Sequence, residues 1–145
     1  MAIKQQFTQS YKSDLLGGHV APTNTYKIAL YTSAADLDHN TGKYTTTNEV
    51  VGTGYTAGGK VLSTSTSSEV DASGVPTGWR NFGDATWTNA TFTARGALLY
   101  ILEGFSPSVM VLDFGGDKTV TNGTFRIQMP AGGFGDPDGA LIQIR

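Results

Sequence analysis

The start of the chain carries the most regular helical pattern. Apolar side chains recur at every fourth position, at Ile3, Phe7, Tyr11 and Leu15. This spacing places them along one face of an α-helix, and two glycines at 17–18 supply a natural end to it. We therefore predict an amphipathic helix over residues 3–16, followed by a linker that contains Pro22.

Beyond residue 24 the pattern changes to the two-residue alternation and β-branched runs of strands. The segments with this pattern are 25–32, 43–51, 60–67, 85–92, 97–103, 109–114, 124–130 and 140–145. Asn122-Gly123 is a typical hairpin turn, and Arg95-Gly96 separates two of the segments. Short strands at this spacing predict a mainly β fold, an antiparallel, jelly-roll-like β-sandwich of about eight strands.

Length and composition narrow the class of protein. The 145 residues suit a single domain over 1–145, with the helix at 3–16 and the sandwich at 24–145. The chain has no cysteine, which excludes disulfides and thiolate chemistry. Only 15% of residues are charged, the net charge is −2 and basic residues are scattered, so we expect no nucleic-acid partner. Apolar runs are too short for a membrane span or a signal core, so we expect a soluble protein that is not exported and has no membrane partner.

A glycine-rich stretch, VVGTGYTAGGKV at 50–61, matches parts of two nucleotide-binding motifs. The matching residues are Gly52, Gly54 and Ala57 for the dinucleotide fingerprint, and Gly54, Gly59 and Lys60 for the phosphate-binding loop. Both motifs need a helix directly after the glycines, whereas a strand-like segment follows here. We therefore predict a bend or bulge between strands that binds no nucleotide.

Two acidic segments imitate ion-binding loops. In DLDHNTG at 36–42, three residues match the first calcium-ligand positions: Asp36, Asp38 and Asn40. Thr41 and Thr47 stand where that loop needs Gly and Glu. The second segment, GDPDG at 135–139, has two aspartates but is more typical of a proline-containing turn. We predict a polar loop and a turn, and no metal site.

The polar residues do not favour hydrolytic chemistry. His19 and His39 fall in a predicted linker and a predicted loop, without a nucleophile motif beside them. Glu49, Glu69 and Glu103 have no specific surroundings in the sequence, although a spatial pair of carboxylates stays open at this point. We expect a protein that is not an enzyme, with no catalytic residue and no cofactor.

Four large aromatic residues fall in one short region: Trp79, Phe82, Trp87 and Phe92. Such residues usually fill the core of a sandwich, so we interpret them as packing residues. If they were exposed, they would instead form a platform for a sugar ring.

Four segments together resemble a group of small structural proteins of tailed bacteriophages and prophages: FTQSYKSDLLGG, YKIALYTSAA, YTTTNEVVGTGYTAGGK and ATWTNATFTARGALLY. The likeness covers most of residues 3–102 and is weaker beyond them. It is a pattern of the whole domain without a catalytic motif, and it transfers no functional residue. It implies a virion component of β-sandwich type.

Within the virion, the resemblance implies first a capsid decoration (cement) protein that stabilises the shell through protein–protein contacts. A collar, neck or tail-fibre module and a carbohydrate-binding receptor module stay open. The expected partners are the major capsid protein or other virion proteins, and further copies of the chain in a homo-oligomer. Phe7, Tyr11 and Leu15 on the predicted helix are candidate partner contacts, and the alternative is that this helix caps the sandwich.

Overall fold

The computed structural model describes residues 2–133 and 136–145, apart from the side chain of Asp138. These residues form one α-helix, eight β-strands and a 3-10 turn at Pro137–Gly139. The elements are β1 (Gln6–Phe7), α1 (Gln9–Leu16), β2 (Tyr26–Tyr31), β3 (Lys60–Leu62), β4 (Thr64–Val70), β5 (Pro76–Phe82), β6 (Ala85–Ile101), β7 (Ser108–Ile127) and β8 (Ile142–Ile144).

The strands form two antiparallel sheets. Five strands are hydrogen-bonded in the order β1-β7-β6-β2-β3, and three in the order β4-β5-β8. In the larger sheet the pairing of β2 with β6 runs from Tyr26 opposite Ile101 to Tyr31 opposite Gly96. In the smaller sheet Trp79 lies between two partners, one on β4 and one on β8. The predicted fold class is confirmed: the chain is mainly β, with eight strands in antiparallel sheets, consistent with a β-sandwich.

The chain divides into two compact units. The first unit is Met1–Val61 with Thr86–Phe125, and the second is Leu62–Ala85 with Arg126–Arg145. The first unit has a core cluster that joins the N-terminal segment, β2, the following loop, β6 and β7. Its buried members are Ile3, Ala29, Tyr31, Ala35, Leu37, Leu98, Tyr100 and Val111.

The N-terminal helix is shorter than predicted, because α1 begins at Gln9. Ile3 is buried in the first unit's core and forms a parallel bridge with Leu37, and β1 pairs with β7. Thr8 is the N-cap, and its hydroxyl accepts a hydrogen bond from the N–H of Tyr11. The helical prediction is wrong for the residues before Thr8, because pairing with other segments there uses the backbone groups that a helix would need.

Strand β6 is continuous where two strands were predicted. A Cβ at Gly96 would lie 2.5 Å from the carbonyl oxygen of Leu112 and 2.8 Å from Cγ2 of Ile3. Glycine therefore permits Ile3 and the neighbouring strand to approach the β6 backbone closely. The predicted break at Arg95-Gly96 is wrong, because this glycine serves packing and not a turn.

Strand β7 also joins two predicted strands, so the hairpin predicted at Asn122-Gly123 is wrong. Asn122 lies inside the strand with a φ of 47°, and its N–H donates to the hydroxyl of Thr91 on β6 at 2.9 Å. Asparagine tolerates this left-handed backbone, which here serves an irregularity within the strand.

A second irregular backbone position of β7 is Gly115, whose φ is 74°. On either side of it β7 contacts β6, through Asp113 with Arg95 and through Thr119 with Thr93.

The predicted strand at 43–51 is a loop. The N–H of Glu49 donates to the carbonyl of Thr46 at 3.2 Å, and the N–H of Thr47 donates to the hydroxyl of Thr45 at 3.2 Å. Asn48 has a φ of 60°. The prediction is wrong because local turns and threonine hydroxyls interrupt the segment. Its pairing with other segments is confined to isolated bridges, Lys43 with Pro107 and Glu49 with Tyr31.

In the second unit, β5 has no counterpart in the sequence prediction. Pro76 and Gly78 interrupt the pattern, and the continuous burial of residues 79–82 gives no two-residue alternation. The predicted strand at 60–67 is divided between β3 and β4.

Candidate functional site

A buried carboxylate surrounded by tyrosines lies in the first unit. Glu49 is only 7% exposed, and its two oxygens accept hydrogen bonds from three donors. These donors are the hydroxyl of Tyr44, the hydroxyl of Tyr55 and the N–H of Gly58, each at 2.6 Å. Burial of an ionised carboxylate is costly unless such charge-assisted hydrogen bonds replace water. We call Glu49 with these three donors the Glu49 cluster.

The Glu49 cluster is tied to β2 and β6. The hydroxyl of Tyr55 also accepts a hydrogen bond from the N–H of Leu30 at 2.9 Å. The hydroxyl of Tyr100 donates to the carbonyl of Gly58 at 2.8 Å, and its ring stacks on Tyr44 with centroids 4.7 Å apart. These contacts hold the loops of residues 44–58 against β2 and β6 of the larger sheet.

The tyrosines of this region are held in their protonated form. Burial, and then the charge of Glu49, raises the pKa of Tyr100 to about 12. Burial and the hydrogen bond to Glu49 raise the pKa of Tyr44 and of Tyr55 above the ordinary range. At neutral pH these hydroxyls are therefore hydrogen-bond donors and not bases, which suits a structural network.

The glycine-rich stretch is the loop that the Glu49 cluster holds. Gly59 has a φ of 68°, and a Cβ there would lie 1.8 Å from the carbonyl oxygen of Ile28. A Cβ at Gly52 would lie 2.4 Å from the carbonyl oxygen of Thr91 on β6, and one at Gly54 would lie 2.9 Å from that of Asn89. Strand β3 begins at Lys60, in the place where a nucleotide motif needs a helix. The predicted bend is confirmed, and the absence of nucleotide binding stays a prediction.

In the calcium-like loop at 36–42, two aspartates accept hydrogen bonds from backbone N–H groups. The carboxylate of Asp38 accepts a hydrogen bond from the N–H of Asn40 at 2.7 Å, and Asp36 accepts one from the N–H of Ala2 at 3.2 Å. In the part of the chain that the structure describes, no group of three or more His, Asp or Glu side chains could hold a metal ion. In the GDPDG segment, Gly135 and the side chain of Asp138 lie outside the described residues.

Two carboxylates of the second unit organise backbone turns. The N–H groups of Val75 and Ser73 donate to Asp71 and hold its pKa below the ordinary value. The N–H of Met129 donates to Asp84 at 2.7 Å, and together with Arg126 it lowers the pKa of that carboxyl. Both carboxylates therefore hold backbone turns in place.

The four clustered aromatic residues are packing residues. Trp79, Phe82, Trp87 and Phe92 are 3%, 5%, 2% and 6% exposed. In the first unit Trp87 and Phe92 meet edge to face at 6.5 Å, with Tyr55 and Phe125 beside them. This confirms the packing interpretation, and it removes these side chains as a sugar platform on the surface.

The three predicted partner contacts do not lie on one helix, because Phe7 is on β1 and Tyr11 and Leu15 are on α1. Tyr11 is 2% exposed and stacks on the half-buried Phe7, which lies on β1 and not on the helix. Leu15 is half-buried, while Leu16 beside it is 93% exposed. The structure brings Phe7 and Tyr11 together and leaves Leu16 as the outward apolar residue of α1. The contact role of Phe7, Tyr11 and Leu15 stays a prediction.

A cleft of about 270 Å³ lies between the end of α1 and the connection from β6 to β7. Its lining residues are Asp14, His19, Asn24, Ile101, Glu103, Gly104, Phe105 and Pro107. His19 lies 3.5 Å from the carboxylate of Asp14, and Phe105 is 67% exposed at the rim. Sequence reasoning missed this site. The available signal was a large aromatic residue in the turn-forming segment EGFSPS.

A second cleft, of about 450 Å³, lies within the second unit beside Asn81. The side-chain amide of Asn81 donates to the carbonyls of Pro130 and Gly132 at 2.6 Å, and its oxygen accepts from the N–H of Leu141 at 3.2 Å. Asn81 is therefore a structural bridge, with its amide nitrogen and oxygen already engaged.

No described helix has the length and apolar character needed to cross a membrane. No protein-family model, curated protein or solved structure matches the chain in comparisons with known proteins.

Proposed function

We propose that the protein is a non-enzymatic structural component of a bacteriophage virion. It acts as a capsid decoration protein that stabilises the shell through contacts with the major capsid protein and with further copies of itself. The resemblance of four segments within residues 3–102 to phage structural proteins motivates the assignment to a virion.

The observation that carries the structural role is that three carboxylates are engaged within the fold. Glu49, Asp71 and Asp84 each accept hydrogen bonds from the chain's own backbone or hydroxyl groups. Carboxylates that hold loops in place support a rigid scaffold that presents a surface to neighbours. Large apolar side chains on that surface, among them Leu16 and Phe105, supply contact area.

A capsid location is tested by counting copies per particle. Purified particles of the phage that encodes the chain are analysed by quantitative mass spectrometry and by imaging with an antibody against the chain. Copies on the order of hundreds, distributed over the shell, support decoration. About twelve copies or fewer, confined to one vertex, overturn it in favour of a neck or tail-fibre module. Absence from the particle removes the virion assignment altogether.

A further inference from the structure

The cleft beside α1 combines an apolar interior with negative charge. Ile101, Phe105 and Pro107 supply apolar surface, and Asp14 and Glu103 supply two carboxylates. The described lining residues include no lysine or arginine, although His19 lies 3.5 Å from Asp14 and leaves Glu103 as the carboxylate without a basic neighbour in the lining. A group that is cationic at its end and apolar along its stem therefore complements this cleft.

The turn that carries Phe105 is well defined. Gly104 and Ser106 have φ values of 51° and 56°, and the N–H of Ser106 donates to the carbonyl of Glu103 at 2.8 Å. The turn thereby fixes Phe105 and Glu103 on the same short connection. An aromatic face beside carboxylates favours a guanidinium, because this planar cation stacks on rings and forms paired hydrogen bonds with carboxylate oxygens.

We propose that this cleft receives an arginine side chain of a partner protein, with the guanidinium against Phe105 and hydrogen-bonded to Asp14 or Glu103. The proposal rests on the proposed function, since it names the chemistry by which the subunit would hold its neighbour on the shell.

The chain's own arginines indicate that the partner is a different protein. Arg95 is paired with Asp113 at 2.6 Å, and Arg126 is paired with Asp84. Arg145 lies 3.6 Å from Asp71. The remaining one, Arg80, is buried and hydrogen-bonded to the hydroxyl of Thr64 at 3.3 Å. All four already have a partner within their own subunit, so an arginine of a different protein is favoured over one from a second copy of the chain.

The direct test is an NMR titration of the full chain with a short probe. The probe is the capped peptide acetyl-Leu-Arg-Leu-amide, and its twin carries citrulline, which has the same shape without the charge. We expect saturable shifts at Asp14, Glu103 and Phe105 with the arginine peptide at millimolar concentration. Equal shifts with citrulline, or no saturable shift, overturn the proposal.

Matched variants locate the binding. Glu103→Gln and Phe105→Ala alter exposed side chains of the cleft. Each should lower the affinity for the arginine peptide about fivefold, because one charge-assisted or cation–π contact is lost. Asp117→Asn and Ile144→Ala alter comparably exposed side chains elsewhere and should change nothing. Equal losses in the cleft variants and these controls contradict the proposal.

Particle binding separates this proposal from the proposed function. If the wild-type chain and Glu103→Lys bind phage particles equally well, the virion role stands and the arginine cleft is refuted as its contact. If the wild-type chain binds the peptide but is absent from particles, the cleft chemistry stands and the virion role is refuted.

Discussion

The hydroxyl of Tyr55 donates to Oε1 of Glu49 at 2.6 Å and accepts from the N–H of Leu30 at 2.9 Å. One phenol thus connects a buried carboxylate to the backbone of β2. Glu49 also accepts a hydrogen bond from the N–H of Gly58, so this carboxylate connects the glycine-rich loop to Tyr55 and, through Tyr55, to β2. The Glu49 cluster is therefore a buried polar network that helps to hold this loop in the first unit.

Replacement of Glu49 by alanine should destabilise the protein strongly. Three donors lose their acceptor, and we expect a loss of about 3–5 kcal/mol in the free energy of unfolding. Tyr55→Phe keeps the ring and removes only the hydroxyl, so it should cost about 1–2 kcal/mol. Urea denaturation followed by circular dichroism measures both. The exposed Thr47→Ala serves as the control, and a loss below about 1 kcal/mol for Glu49→Ala would contradict the assigned role.

The close approach of Gly59 to β2 gives a second prediction. Gly59→Ala places a methyl group 1.8 Å from the carbonyl oxygen of Ile28, so the loop or the strand must move. Gly74 is a matched control, because its φ is 80° but a Cβ there would meet nothing within 4 Å. We expect about 1 kcal/mol for Gly74→Ala from backbone strain alone, and about 3 kcal/mol or more for Gly59→Ala. Equal effects in thermal unfolding would show that the steric contact is unimportant.

The sequence predicted the parts of the fold that depend on local pattern. The alternation of Tyr26, Ile28 and Leu30 identified β2, and the glycine stretch was correctly interpreted as a bend. The helix was misplaced at its start, because a four-residue repeat at Ile3 cannot distinguish a helical face from burial by a distant strand. Likewise, the residues around Gly96 do not show whether this glycine serves close packing or a turn.

The candidate site was less accessible to sequence reasoning. Glu49 lies within a threonine-rich segment that resembles a strand, and its donors at Tyr44, Tyr55 and Gly58 converge only through the turns of the folded chain. Phe105 was missed because its exposure is set by the turn at Gly104 and Ser106, and composition does not reveal whether an aromatic residue faces inward.

Acid should weaken the second unit through Asp71 and Asp84. Their folded-state pKa values lie below the ordinary value of 3.8, so their stabilising contribution is present above that value and is lost as pH falls through the lowered pKa. Urea midpoints should therefore fall as the pH is lowered below about 4. Asp84→Asn should lower the midpoint at neutral pH and flatten this acid dependence. The exposed Asp117→Asn should retain the wild-type profile, and an unchanged slope in Asp84→Asn would contradict the assignment.

The buried aromatic pair Trp87 and Phe92 provides a test of core against ligand-binding roles. Each replacement by alanine should cost about 3–5 kcal/mol, because a large cavity opens beside Tyr55 and Phe125. Phe105→Ala, which removes an exposed ring, should cost less than about 0.5 kcal/mol. A Trp87→Ala variant that folds normally but loses binding on a glycan array would instead favour a sugar-binding role.

Removal of residues 1–18 should unfold the first unit and not merely detach a docking helix. Ile3 is in the core, β1 pairs with β7, and the hydroxyl of Thr8 donates to the carbonyl of Ser108 at 2.9 Å. The truncated chain should therefore be insoluble or lack a cooperative unfolding transition. Leu16→Ser is the matched control, because its side chain is exposed and its replacement should leave the thermal midpoint unchanged. A soluble truncated chain with a wild-type transition would mean that the segment is dispensable for folding and available for a partner.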